Sequence, residues 1–111
     1  MARISTHVLD IAKGAPAGGV GVTLQLAGNT LKADATNADG RTDSPLISAE
    51  TIAPGHYELT FEVADYLRVN HPAAPPFFDR ITLRFAVTDE RGHYHVPLLL
   101  APHGYSTYRG S

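Results

Sequence analysis

The sequence predicts an all-β fold, a sandwich of short antiparallel strands with one short helical turn. Three observations carry that reading. Apolar and polar residues alternate with a period of two in several separate segments, as expected of strands that bury one face. Turn signals built from Gly, Pro, Asn and Asp-Gly separate those segments at short intervals. At 111 residues the chain is near the commonest domain size and buries a core without staples, so residues 1–111 read as a single domain.

The elements follow in order. Ile4 to Ile11 alternates around His7, with Ser5, His7 and Leu9 on one face and Thr6, Val8 and Asp10 on the other. Residues 12–19 hold Gly14, Pro16, Gly18 and Gly19 and read as a loop. Val20, Val22, Leu24 and Leu26 form the buried face of the next strand, and Gly28-Asn29 turns the chain into a weaker strand from Thr30 to Asn37. Ala38-Asp39-Gly40 is a tight turn, which fixes the starting point of Arg41 at a hairpin end. After Ala53-Pro54-Gly55 comes the cleanest strand, with Tyr57, Leu59, Phe61 and Val63 alternating against Glu58, Thr60 and Glu62. Ala64 to Asn70 is the helical turn, stopped by Pro72 because the residue before a proline disfavours the helical region. A stiff Pro75-Pro76 loop leads to Ile81, Leu83, Phe85 and Val87, then to the strand His93 to Leu100 and a last one from Tyr105 to Tyr108. Pro97 is the one tension, since it has no N–H to give to a ladder.

Composition removes several functions. There is no cysteine, which excludes disulfides, thiolate nucleophiles and thiolate zinc sites. Net charge is -2 and the nine Lys and Arg are scattered, so no stripe exists for a nucleic-acid backbone. No stretch is apolar enough to span a membrane, and the N-terminus lacks a signal-peptide pattern, giving the expectation of a soluble, cytoplasmic protein.

The chemistry concentrates in residues 93–111. A chain end is ordinarily the loosest part of a domain, whereas here it carries histidines, tyrosines, an arginine and Ser111, which suggests a tail pinned to build a site. If Tyr94, Val96, Leu98 and Leu100 are core, His93 and His95 stand on the outer face, as does His7 on the first strand. Histidine mixed with apolar Leu9, Pro97 and Leu99 marks a subunit interface or a ligand surface, against the plainer reading of solvated histidines. His93 and His95, two apart on one strand, can share a metal ion with His7 as a third ligand, a reading set against the lack of a carboxylate near the pair other than Asp89 and Glu90 across the turn. His56, His71 and His103 read as solvated. No Gly-x-Ser-x-Gly elbow and no carboxylate pair is present, so the natural chemistry is water activated by a neutral imidazole, with a cation holding the developing negative charge.

Five stretches then narrow the reading: Ser5-Thr-His-Val-Leu-Asp10, Gly14-Ala-Pro-Ala-Gly-Gly-Val20, Asp39-Gly40-Arg41-Thr42, His93-Tyr-His-Val-Pro-Leu-Leu-Leu100 and the closing Tyr108-Arg-Gly-Ser111. In this order, over essentially the whole chain, they resemble the 5-hydroxyisourate hydrolases, the enzyme branch of the transthyretin-related proteins. The resemblance implies a sandwich of two four-stranded sheets, assembled as a homotetramer (a dimer of dimers) with sites where the dimers meet. It implies hydrolysis of 5-hydroxyisourate to 2-oxo-4-hydroxy-4-carboxy-5-ureidoimidazoline without a cofactor or a metal. It assigns His7, Arg41, His95 and Ser111 to catalysis and His7, Arg41 and Tyr108 to substrate binding. Which histidine is the base stays open. The hormone carriers of the superfamily lack these histidines and the terminal motif. Prealbumin-like accessory modules, the other class resembled, need neither. Ala101, where a serine is common, and His103, where an aromatic is usual, are the departures.

Overall fold

The computed structural model describes residues 1–111 and contains nine strands and one helix. In chain order these are β1 (Ala2–Asp10), β2 (Ala15–Pro16), β3 (Gly21–Leu26), β4 (Asn29–Ala35), β5 (Ile47–Ala49), β6 (Gly55–Glu62), α1 (Ala64–Asn70), β7 (Arg80–Val87), β8 (His93–Ala101) and β9 (Gly104–Thr107). One sheet runs β4-β3-β6-β7; the other runs β2-β1-β8-β9, with β5 also paired to β1. The expected sandwich is present, and two short strands are added to it. At two and three residues, β2 and β5 are too short to show a period in sequence. No helix is long and apolar enough to cross a membrane.

The alternating segments bury the faces they were expected to bury. Val22 and Leu24 of β3, Tyr57, Leu59 and Phe61 of β6, and Ile81 and Leu83 of β7 meet Ile4 and Val8 of β1 and Tyr94, Val96, Leu98 and Leu100 of β8 in one core. Each such side chain taken fully from water contributes roughly 1.5–3 kcal/mol. Thr6 shares that inner face, and its hydroxyl donates to the Val96 carbonyl at 2.7 Å, so the buried polar group is satisfied.

All pairings are antiparallel except one. β1 and β8 run parallel, with Ser5 opposite His95 and His7 opposite Pro97. Parallel neighbours need a long connection, and most of the chain lies between these two. Pro97 fits because its carbonyl faces β9, accepting the Thr107 hydroxyl at 2.7 Å. Its nitrogen, on the same side, meets a gap in the ladder, which pairs β9 only with Leu98 to Ala101.

A buried carboxylate ties α1 to the sheet. Asp10, 1 % exposed, accepts from the Tyr66 hydroxyl at 2.7 Å and contacts the His71 ring at 2.8 Å, both on Oδ2. Its Oδ1 accepts the backbone N–H groups of Ala12 and Lys13. His71 is therefore not the solvated residue its sequence context indicated. Burial alone would raise the Asp10 carboxyl, but hydrogen bonds from Tyr66, His71 and Lys13 outweigh it and hold the group below its ordinary value. A depressed carboxylate stabilises the fold fully above its unfolded value, and that contribution is lost as pH falls through the folded value. Replacing Asp10 by alanine strands four donors and is expected to cost about 3 kcal/mol at pH 7, read as a lower urea midpoint. A loss under about 1 kcal/mol would remove this network as the anchor of the helix.

Candidate active site

The outer face of β1 and β8 carries a row of polar side chains, and the register sets their neighbours: Arg3 beside His93, Ser5 beside His95, His7 beside Pro97. The Ser5 Oγ and His95 Nδ1 are 2.9 Å apart. Along the edge of β1 opposite β8 runs the connection between β4 and β5. Its turn closes with the Gly40 N–H on the Asn37 carbonyl at 2.9 Å, and Gly40 has φ +76°. The chain then passes to the other sheet and does not return as a hairpin, the geometry its sequence indicated. Arg41 forms an antiparallel bridge with His7.

Glycine at position 40 is required twice over. A Cβ there would sit 2.3 Å from the Val8 carbonyl oxygen, whose strand donates the Val8 N–H to the Gly40 carbonyl at 2.8 Å. Asn37 braces the same turn, with its Oδ1 accepting from Asp39 and Arg41 and its Nδ2 donating to Asp43. Arg41 thus starts from a backbone locked onto β1.

The tail is locked onto β8. The Arg109 guanidinium lies 4.5 Å from the Tyr94 ring centroid, and its Nη2 donates to the His93 carbonyl at 3.2 Å. The Gly110 N–H donates to the His95 carbonyl at 2.7 Å. A Cβ at Gly110 would come within 2.6 Å of the His95 ring, so only glycine allows this approach. Ser111 is delivered to the rim of the cleft.

The result is an open cleft of about 410 Å³ with no hydrophobic lining residue. Its walls are Arg3, Ser5 and Thr6, the segment Arg41 to Pro45, His93, His95 and Ser111. Among the residues singled out in the sequence, Arg41, His95 and Ser111 converge here. His7 stands just outside the wall, bridged to Arg41, and its Nε2 lies 3.0 Å from the Asp39 carbonyl oxygen. Tyr108 is not brought in. It is 55 % exposed and lines a second, smaller cavity with Leu83, Phe85, Tyr94 and Val96. Arg3 and Ser5 were missed in sequence; the period-two rule places both on the His7 face, and that face was the available signal. No cluster of three or more His, Asp or Glu side chains suited to a metal ion is present.

Electrostatics favour neutral imidazoles. Burial lowers His95 first, then the charge of Arg41, with smaller contributions from His7 and Arg3. His7 is lowered by burial and by Arg41, partly offset by its bond to the Asp39 carbonyl. Because both folded values fall below 6.5, the unfolded chain binds more protons on acidification, and the two groups destabilise the fold as pH drops through and below that value. Imidazole proton NMR is expected to show both rings titrating below 6.5, with Arg41→Gln moving both upward. A His95 ring titrating above 6.5 in the intact protein would contradict this field.

Comparison with known proteins agrees with the geometry. The model of the HIUase/Transthyretin family matches residues 4–110. A 5-hydroxyisourate hydrolase of Deinococcus radiodurans is 55% identical, covering 97% of this chain and 95% of the relative. That of Ralstonia nicotianae is 48% identical over the full length of both. The solved Klebsiella pneumoniae 5-hydroxyisourate hydrolase superposes with a TM-score of 0.86 at 40% identity, covering 100% of each chain. Transthyretin from Sparus aurata superposes with a TM-score of 0.84 at 26% identity, covering 97% of this chain and 96% of that one. The chain belongs to the HIUase/transthyretin family and, within it, resembles the 5-hydroxyisourate hydrolases in sequence over its whole length.

Proposed function

We propose that the cleft hydrolyses 5-hydroxyisourate to 2-oxo-4-hydroxy-4-carboxy-5-ureidoimidazoline, in the degradation of urate. The observation that supports this most is the convergence of His95, Arg41 and Ser111 on one polar cleft, in a chain 43–55% identical to hydrolases of that name. A cleft with two guanidiniums, Arg3 and Arg41, and no apolar wall suits a small, polar, urate-like anion.

The hydrogen bonds separate the two histidines. A carbonyl oxygen only accepts, so His7 donates to Asp39 from Nε2, and its bare nitrogen is Nδ1. His95 lines the cleft and has its Nδ1 beside Ser5, which leaves Nε2 free. In the proposed reaction Nε2 of His95 takes a proton as water adds to the cyclic amide carbonyl. Arg41 holds the negative charge that collects on the carbonyl oxygen. The carbon–nitrogen bond then breaks, the leaving ring nitrogen recovers the proton from His95, and the new acid releases one to solvent as it becomes a carboxylate. His7 braces Arg41 through the backbone bridge between them. Ser111 borders the substrate from the tail. Tyr108, exposed at the second cavity, is assigned no contact within its own subunit. The outer face of β1 and β8 is taken to meet a second copy in a homotetramer in the cytoplasm, closing the open side of the cleft.

The test is the ultraviolet decay of 5-hydroxyisourate formed in place by urate oxidase. Wild-type protein is expected to accelerate it, unaffected by a chelator. His95→Ala and Arg41→Gln are each expected to lose about 100-fold or more in kcat/KM. Removing Arg109 to Ser111 is expected to abolish activity, where an accessory sandwich would lose nothing. No acceleration by folded wild-type protein would refute the reading.

A further inference from the structure

We infer that Ser5 is the positioning residue for His95, its hydroxyl holding Nδ1 so that Nε2 is the nitrogen presented to the cleft. This deepens the hydrolase reading and rests on it for its kinetic consequences. The geometry comes from the backbone. Ser5 and His95 are opposite partners in the parallel ladder, both line the cleft, and their side chains meet at 2.9 Å. The ring is confined on its other side as well, since even one added carbon at Gly110 would stand 2.6 Å from Cδ2. Between the hydroxyl and the tail the imidazole has one seat.

A hydroxyl suits this seat better than a carboxylate. The groups that act on His95 are Arg3 and His7 from β1 and Arg41 from the β4–β5 connection. His93 shares its strand, and Asp43, the acid of the cleft wall, is engaged with the Asn37 side chain. A serine hydroxyl accepts from Nδ1–H before and after Nε2 gains its proton, so the partner need not reorganise during the reaction. Being uncharged, it stabilises the imidazolium less than a carboxylate would, so the proton is readily returned. An aspartate in its place would favour the protonated ring and raise the pH at which it gives up its proton.

Three variants test this. Ser5→Ala is expected to lower kcat about tenfold or more with little change in KM, and Ser5→Thr to restore most of it. Ser5→Asp is expected to move the acid limb of kcat/KM up by about one unit. Independently of any substrate, nitrogen-15 NMR of wild-type protein is expected to show His95 with its proton on Nδ1, and a mixture of tautomers in Ser5→Ala. A single Nδ1–H tautomer that persists in Ser5→Ala, or kcat in that variant within about twofold of wild type, would overturn the assignment. If wild-type protein left 5-hydroxyisourate decay unchanged, the hydrolase reading would fall, and the tautomer measurement would still decide the role of Ser5.

Discussion

The parallel ladder between β1 and β8 is the constraint on which the site depends. Side chains on a strand alternate between faces, so a shift of one residue would turn His95 into the core and Tyr94 out of it. Tyr94, Val96, Leu98 and Leu100 on β8, and Ile4, Thr6 and Val8 on β1, are buried against the other sheet, and that burial holds the register. The apolar face therefore specifies the polar one. Ser5 meets His95 because Ile4 and Thr6 are inside.

Two further pieces reach the ladder by backbone contact, and each relies on a glycine. Gly40 lets the β4–β5 connection lie against Val8, which sets Arg41 beside His7. Gly110 lets the tail lie against His95, which brings Ser111 to the cleft. Close backbone approach gives these placements a precision that long side-chain contacts across a loop would not. It also ties residues with no catalytic group, Gly40, Asn37, Arg109 and Gly110, to the geometry of the candidate site.

Much of this was legible in the sequence, for physical reasons. Period-two burial located the principal strands and put His7, Ser5, His93 and His95 on outer faces before any pairing was known. The helix could be bounded by its proline. What the sequence could not supply was pairing between segments far apart. That β1 and β8 are neighbours, and parallel, has no local signature, so Ser5 and Arg3 went unnoticed beside His95. The turn before Arg41 was recognised from Asp39-Gly40, but its crossing to the other sheet was not, because turn chemistry does not say where the following chain goes. His71 seemed solvated for a similar reason, its partner Asp10 lying 61 positions away. Tyr108 was carried into the site by its motif alone, and the structure places it at the second cavity.

The central claim is that neutral His95, held low by burial and by Arg41, takes the proton from water. The most direct test compares the acid limb of kcat/KM for 5-hydroxyisourate with the titration of the His95 ring, followed by NMR in the same buffer. The limb of kcat/KM reports the free enzyme, so the two midpoints are predicted to coincide below 6.5. A limb that followed His7 instead, or a rate indifferent to pH while His95 titrates, would contradict the account.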